Sequence, residues 1–262
     1  MNIQFDIVPD GNGKSRVYVL EVNPRASRTI PFISKVTGVP MVDIATQAML
    51  GTSLKEQGYA TGLFPERKLI AIKAPVFSMS KLLGVDTYLG PEMKSTGEVM
   101  GIDHSFSSAL AKALLAAGLM LPVKGAILVS IADRDKGESL PIIKNFLNAG
   151  FRIYATEGTS AFLKDVGLAV KLIGKKLNEG HPNVVDIIKD GTVDGVINTI
   201  TGGRIPLRDG FHIRRAAVER RIPCFTSLDT ARAVADVLID NNQSFSVKPL
   251  PEYRAGENNA TG

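Results

Sequence analysis

The sequence predicts an α/β protein in two parts, an α+β first part and a second part built on a parallel β-sheet. A period-two alternation of polar and apolar residues opens the chain, which is typical of half-buried strands. Strands alternate with helices through its second half, which is typical of a parallel sheet covered by helices. Apolar residues make up 44% of the 262 residues, so the chain can form a full hydrophobic core.

The first part is predicted to start with a β-hairpin. Residues 2–8 and 16–22 are rich in strand-forming side chains, and the glycine-bearing turn 9–14 joins them. The helix predicted over 105–117 carries a continuous apolar stripe, with Ser105 as its N-cap. The elements expected between them are helices over 27–36 and 40–50 and a strand over 68–76.

The second part is predicted to follow a junction at 118–124, where the pattern changes to strand–helix alternation. We therefore expect domains over 1–117 and 125–250, followed by a disordered polar tail over 251–262. The strands expected in the second domain are 126–130, 152–155, 195–199 and 223–225. The helices expected there are one that ends at 148 and others over 159–166, 209–220 and 227–240.

Composition and charge exclude several functional classes. The net charge is +5, yet aromatic residues make up only 6% and Trp is absent, so nucleic-acid binding is not predicted. The densest basic stretch, Arg204–Arg221, indicates either a site for small anions or a solvated helix face. No apolar run approaches the roughly 18 residues of a membrane span, and the N-terminus lacks a signal-peptide pattern. The single cysteine, Cys224, excludes an internal disulfide and fits a cytoplasmic location.

Oxygen-bearing side chains cluster on the predicted hairpin. Glu21 and Asn23 are two residues apart, so they share a face of their strand, and Gln4 lies on the polar face of the partner strand. Three such oxygen donors suit Mg²⁺. Arg25 and Arg28 follow directly and could neutralise phosphate oxygens. The alternative is that all five side chains merely face water.

A second cluster follows the predicted parallel strands. Ligands bind at the carboxyl ends of such strands, where helix N-termini present amide groups. The segments Thr156–Thr159 and Asn198–Gly203 follow two of these strands, and Lys176 lies between them in sequence. These residues predict an anion pocket, in which Gly158 lets the backbone approach the ligand. Helix caps and turn formers are the alternative roles of Thr156, Thr159 and Asn198.

Two longer motifs carry a family resemblance. Glu21-Val-Asn-Pro-Arg25, continued to Lys35, resembles the metal-binding strand and loop of the second ATP-grasp half of carbamoyl-phosphate synthase large chains. Leu89–Gly101 is similar to the closing segment of that family. The second part resembles the methylglyoxal-synthase-like domain at the regulatory C-terminus of these synthases. The fold this implies is an incomplete ATP-grasp C-terminal part (α+β) followed by a Rossmann-like parallel-sheet domain.

The resemblance implies a role for each residue of the hairpin cluster. Gln4, Glu21 and Asn23 match the family's ligands of Mg²⁺ or Mn²⁺, and Arg25 and Arg28 match arginines near the transferred phosphoryl group. ATP would be a substrate of the full-length protein, which makes carbamoyl phosphate from bicarbonate and ammonia or glutamine for pyrimidine and arginine biosynthesis. The implied partners are the remainder of the large chain and a glutamine amidotransferase small subunit. Because this sequence lacks the rest of the ATP site, we expect the chain alone to be inactive.

The resemblance also implies an allosteric nucleotide pocket that takes UMP or IMP in some bacterial relatives. Ile200 departs from a threonine of such relatives, and Ala74 and Cys224 stand where ornithine-regulated relatives carry glutamate and tyrosine, although Thr226 agrees. Ornithine control is therefore not expected. The alternative functions are a stand-alone nucleotide-binding module and a methylglyoxal-synthase-type lyase, which would need carboxylates where this chain has threonine and asparagine. The matching pocket residues are Lys136, Thr156, Thr159, Lys176, Asn198 and Thr199.

Overall fold

A computed structural model of the chain describes residues 1–59, 61–63, 65–77, 87, 94–175, 180–199, 209–240 and 246–255. These residues form two compact units, one of residues 1–69 with the segment from Lys248, and one of residues 70–247. The segment 118–124, predicted as a domain junction, lies inside the second unit. Among the described residues, no helix is both long enough and apolar enough to cross a membrane.

The predicted elements occur in the predicted order. The structure adds strands over 95–103 and 171–172 and helices over 184–189 and 250–255. In chain order they are β1 (Asn2–Pro9), β2 (Ser15–Asn23), α1 (Thr29–Thr37), α2 (Met41–Met49), β3 (Ile70–Phe77), β4 (Ser95–Asp103), α3 (Phe106–Ala117), β5 (Ala126–Ser130), α4 (Lys136–Asn148), β6 (Arg152–Ala155), α5 (Glu157–Asp165), β7 (Lys171–Leu172), α6 (Val184–Lys189), β8 (Gly195–Asn198), α7 (Asp209–Glu219), β9 (Cys224–Phe225), α8 (Leu228–Ile239) and α9 (Leu250–Ala255).

The first unit contains the predicted hairpin, in which β1 and β2 pair antiparallel with a bulge after Gln4. One of its faces is apolar on both strands. Phe5 lies opposite Val19 and Ile7 opposite Val17, and all four side chains are more than half exposed. The opposite face carries the polar residues that were predicted to bind metal.

The predicted disordered tail is wrong for its first residues. Leu250–Ala255 form α9, because Tyr253 is buried, at 5% exposure, and Arg254 donates a hydrogen bond from Nη1 to the carbonyl of Lys35 at 3.0 Å. Gly38 ends α1 in the left-handed conformation, at φ 78°, and leaves room for that guanidinium. Residues 256–262 of the predicted tail lie outside the described residues.

The second unit begins with an antiparallel pair, β3 and β4, packed against α3. The contact is tight at Gly101, where a Cβ atom would lie 1.9 Å from the carbonyl oxygen of Ala109 and 2.6 Å from the nitrogen of Ala113. Ser105 caps α3 as predicted, since its hydroxyl accepts a hydrogen bond from the N–H of Ser108 at 3.3 Å.

A five-stranded parallel sheet forms the centre of the second unit, in the order β7-β6-β5-β8-β9. The side chains of β5 alternate between its faces, with Ile127 and Val129 in one apolar cluster and Ala126 and Leu128 in the other. Helices α3, α4, α5 and α8 supply the first cluster, whereas α6 and α7 supply the second. The predicted α/β class, with helices on both faces of a parallel sheet, is confirmed.

Candidate functional site

The candidate site lies at the carboxyl edge of the parallel sheet. Ser130 ends the central strand β5 and lies beside Asn198, the last residue of β8. On the other side, β6 ends at Ala155 and leads directly into Thr156. Because the carboxyl ends of parallel strands meet at one edge, residues far apart in sequence come together around Ser130.

Two threonines hold the loop that leaves β5. The Thr159 hydroxyl accepts a hydrogen bond from the backbone N–H of Ile131 at 3.0 Å, and the Thr199 hydroxyl accepts one from Ala132 at 2.8 Å. Thr159 is 2% exposed and Thr199 8%. Two consecutive amides are thus satisfied from opposite sides of β5, which fixes the loop before α4.

Thr156 lies at the start of α5 and makes contacts that a helix cap would not make. It occupies the N-cap position, yet its side chain makes no capping hydrogen bond. Its hydroxyl instead lies 3.3 Å from Oγ of Ser130 and 3.5 Å from Oγ1 of Thr159. The three hydroxyls form a buried polar cluster, so the helix-cap alternative does not account for Thr156.

A cation lies beside the turn between Thr156 and Thr159. Lys136 begins α4, and its Nζ lies 2.7 Å from Oδ1 of Asp133. The hydrogen bond and the positive charge of Lys136 hold the pKa of Asp133 below its usual value. The same amine would lie 3.5 Å from a Cβ atom on Gly158, so it stands over the first turn of α5. A bound anion at this point would meet both the amine and the helix N-terminus.

Asn198 is held on two sides. Its Nδ2 donates a hydrogen bond to the carbonyl of Ser130 at 3.2 Å, and its Oδ1 accepts one from Nη1 of Arg214 at 2.7 Å. Asn198 is 3% exposed and Arg214 6%. The edge therefore combines a fixed amide, a buried guanidinium, four hydroxyls and an amine, which are groups that bind phosphate and sugar oxygens.

The structure thus brings five of the six predicted pocket residues to one edge of the sheet. Lys176 and Ile200 lie outside the described residues. The backbone N–H of Lys175 donates a hydrogen bond to Oε1 of Glu157 at 3.0 Å, which ties the residue before Lys176 to the start of α5.

The hairpin of the first unit places the predicted metal ligands at one of its ends. Gln4 lies directly opposite Glu21 in the antiparallel register, so two of the predicted ligands share a face. Asn23 donates a hydrogen bond from Nδ2 to Oε1 of Glu21. These donors fit a small oxygen-ligated cation that keeps water or phosphate ligands of its own. Among the described residues, no cluster of three or more His, Cys, Asp or Glu side chains could hold a metal.

Arg25 and Arg28 follow the hairpin on the segment that leads into α1. Arg25 donates a hydrogen bond from Nη1 to the carbonyl of Ala26 at 3.2 Å, a contact within this segment. Arg28 is the N-cap residue of α1 and makes no side-chain capping bond. Both are exposed, and within the described residues no hydrogen bond or ion pair links either side chain to the three oxygen ligands.

Sequence reasoning missed Ser130, Arg214 and Gly210. The signal for Ser130 was its place as the polar last residue of an apolar strand, where a parallel sheet meets its ligands. Arg214 lies four residues after Gly210 in the basic stretch that indicated either a small-anion site or a solvated helix face. Nothing in the pattern of that stretch distinguished Arg214 from the arginines around it.

The family model described as an MGS-like domain matches residues 138–226, which contain strands β6 to β9 and most of the polar edge. A second family model, described as the ATP binding domain of the carbamoyl-phosphate synthase L chain, matches residues 1–57. Over 257 residues the chain is 55% identical to the carbamoyl phosphate synthase large chain of Thermomicrobium roseum. This chain therefore belongs to the carbamoyl phosphate synthase large chain family, and it matches the C-terminal part of that protein.

The coverage of these comparisons is unequal. The match includes 98% of this chain and 23% of the T. roseum protein, so the chain spans about a quarter of its relative's length. Among solved structures, the crystal structure of ForH is similar at 19% identity and a TM-score of 0.32, covering 54% of this chain and 91% of that one. A likeness at that score supports no conclusion about fold or function.

Proposed function

We propose that the second unit binds a nucleoside monophosphate of the UMP or IMP type as an allosteric effector. The observation that carries this proposal is the convergence on Ser130 of Thr156, Thr159 and Asn198, with the Lys136 amine beside Gly158. Hydroxyls, a side-chain amide and an amine donate hydrogen bonds that phosphate and ribose oxygens accept. Thr199, which holds the adjoining loop, and Lys176 complete the proposed site, the latter on the resemblance of the sequence alone.

We propose further that the chain works within a carbamoyl phosphate synthase large chain, as the name of its 55% identical relative suggests. In that setting it contributes to ATP-dependent synthesis of carbamoyl phosphate from bicarbonate and ammonia or glutamine, for pyrimidine and arginine biosynthesis. Its proposed partners are the remainder of the large chain and a glutamine amidotransferase small subunit, in the cytoplasm.

The hairpin is the part of the chain proposed to serve this reaction. Gln4, Glu21 and Asn23 are the proposed ligands of Mg²⁺ or Mn²⁺, and the paired register of the first two supports the assignment. A bound divalent cation supplies positive charge that offsets the charge of phosphate oxygens during phosphoryl transfer. Arg25 and Arg28, which follow the hairpin directly, are proposed to lie beside the transferred phosphoryl group.

Domain limits of 1–117 and 125–250, with 118–124 as the junction, belong to the same proposal. The strand–helix alternation that begins at β5 supports a limit near residue 125. The compact division at residue 70 instead groups β3, β4 and α3 with the parallel sheet. Limited proteolysis distinguishes the two. A resistant core that starts near residue 125 supports the proposed limits, whereas one that starts near residue 70 contradicts them.

Titration calorimetry of the chain with UMP and with IMP tests the effector proposal. We expect saturable heat with at least one of them, and weaker binding of inorganic phosphate, which lacks the ribose. No heat from either nucleotide at millimolar concentration, in a folded sample, would contradict the proposal.

An assay of carbamoyl phosphate synthesis distinguishes a chain that takes part in the synthase reaction from a chain that is only a regulatory module. The chain alone is expected to produce none from ATP, bicarbonate and ammonia. In a full-length large chain that contains this segment, Glu21→Gln is expected to abolish synthesis. Unchanged synthesis in that variant would favour a regulatory module whose first part takes no part in the reaction.

A further inference from the structure

Arg214 occupies an unusual place for a charged side chain. It lies in the middle of α7 with 6% exposure, and its guanidinium reaches the amide oxygen of Asn198 at 2.7 Å. Long side chains on a helix lean toward its N-terminus, which brings this one to the sheet edge. Gly210, one turn earlier, makes room for it. A Cβ atom on Gly210 would lie 2.9 Å from Nη1 of Arg214 and 3.3 Å from Oδ1 of Asn198.

The two contacts of Asn198 fix the orientation of its amide without ambiguity. A guanidinium can only donate hydrogen bonds, so the atom 2.7 Å from Arg214 has to be the amide oxygen. A backbone carbonyl can only accept, so the atom 3.2 Å from the oxygen of Ser130 has to be the amide nitrogen. Both contacts demand the same orientation, and the nitrogen keeps one further N–H to donate.

We infer that Arg214 is a positioning residue for the nucleotide site, which it serves by holding Asn198 as a hydrogen-bond donor toward the ligand. This inference rests on the proposed function. A hydrogen bond from a charged donor is among the stronger contacts of a side-chain amide. Without it, the contact with Ser130 is the one hydrogen bond from the described residues that still opposes rotation of the amide. A rotated amide turns its oxygen toward the oxygens of the ligand.

A double-mutant cycle on the full 262-residue chain tests this inference, with the UMP dissociation constant as its readout. Arg214→Met keeps the length and apolar stem of the side chain but removes its donors. We expect it to weaken UMP binding by roughly tenfold, about the value of one charged hydrogen bond. Asn198→Ala is expected to lose at least as much. The double variant is expected to bind no more weakly than Asn198→Ala, because Arg214 acts through that amide.

Two further variants separate positioning from general stability. Arg214→Lys keeps a charged donor and is expected to restore part of the affinity. Arg215→Met removes the neighbouring arginine, whose Nε pairs with Oε1 of Glu219 at 2.9 Å, and is expected to leave the UMP affinity unchanged. Circular dichroism and melting temperature check that each variant is folded.

The outcomes are distinguishable. Additive losses in the double variant would mean that Arg214 contacts the ligand itself, which overturns the inference and leaves the proposed function intact. An unchanged UMP affinity in folded Arg214→Met, with a lower melting temperature, would make the contact purely structural and also overturn it. If the wild-type chain binds neither UMP nor IMP, the proposed function fails and the inference fails with it.

Discussion

Thr159, on helix α5, accepts a hydrogen bond from the backbone N–H of Ile131, on the loop that leaves the central strand, at 3.0 Å. The two residues are 28 positions apart in sequence and both are buried. A change at Thr159 therefore acts on the loop as well as on any ligand, and affinity alone cannot separate the two effects. Stability therefore has to be measured beside affinity, on substitutions that keep or remove the hydroxyl.

Replacing Thr159 by Val keeps its shape and removes its hydroxyl, so the buried N–H of Ile131 loses its partner. We expect the free energy of unfolding to fall by about 1–3 kcal/mol and UMP binding to weaken by roughly 10- to 100-fold. Thr159→Ser keeps the hydroxyl and is expected to retain most of both. Chemical denaturation and calorimetry measure the two quantities. If Val and Ser behave alike, the hydroxyl has neither role.

Lys136→Met is expected to weaken UMP binding and to reduce its dependence on salt. The Lys136 amine stands over the first turn of α5, and part of its effect on an anion is a Coulomb attraction that ions screen. Lys144→Met is the matched control, since Lys144 is exposed two turns further along the same helix. Calorimetry at two salt concentrations measures both. Equal losses in the two variants would show a general effect of charge.

Gly101→Ala is expected to destabilise the second unit by about 3 kcal/mol, the upper range for overpacking. The new Cβ atom would lie 1.9 Å from the Ala109 carbonyl oxygen, so β4 and α3 would have to separate. Gly97→Ala on the same strand is the control, because its Cβ atom would meet Val76 at an ordinary 3.7 Å. Similar unfolding midpoints for the two variants would contradict the tight contact.

The ion pair between Asp103 and Lys112 predicts a dependence of stability on pH. Burial raises the pKa of Asp103, but hydrogen bonds from Lys112 and from the N–H of His104 more than offset this, so the pKa lies below its usual value. A carboxyl of lowered pKa stabilises the fold at pH values above its pKa in the unfolded chain, which is about 4. This contribution is lost as the pH falls through the pKa in the folded state.

Asp103→Asn is therefore expected to be less stable than the wild type at neutral pH, with the difference shrinking as pH falls below about 4. Denaturant titrations at several pH values measure this difference. Asp229→Asn is the control, because the Asp229 side chain is 87% exposed and 3.8 Å from Arg232. If the free energies of unfolding of Asp103→Asn and the wild type differ by the same amount from neutral pH to below about 4, the prediction is wrong.

Mn²⁺ binding at the hairpin is expected to be weak and to depend on Glu21, the one carboxylate among the three proposed ligands. Glu21→Gln removes the negative charge and is expected to abolish the interaction seen by electron paramagnetic resonance. Asp6→Asn is the matched control, since Asp6 lies on the same face of β1 as Gln4, opposite Tyr18. Equal losses in both variants would indicate diffuse attraction of the cation to the hairpin.

Strong local patterns made most of the elements predictable from sequence. Strand β5 was predicted with the bounds that it has, because the apolar run after Gly125 meets its first polar residue at Ser130. Strand β4 was missed because Gly97 and Gly101 interrupt its pattern, and its pairing with β3 and its contact with α3 are not visible in the sequence. Helix α6 was also missed because it is only six residues long, although the capping box of Asn183 and Asp186 was a signal for it.

The site was predictable as a set of residues but not as a network. Resemblance and strand-end position indicated Thr156, Thr159 and Asn198, which the fold brings together. Which hydroxyl holds a loop amide and which faces another hydroxyl depends on the spacing of strands and helices, which sequence patterns do not contain. The partnership of Asn198 with Arg214 depends likewise on the packing of α7 at the sheet edge.

The apolar face of the hairpin has a consequence for the behaviour of the chain at high concentration. Within the described residues, β1 and β2 pair only with each other, so the outer edge of each strand offers backbone groups that another chain could pair with. Val17, Val19 and Val22 make β2 a good β-former with little charge along its middle. At high concentration the molecules should therefore associate through β-strand pairing at these edges. The substitution Val19→Lys should prevent this association.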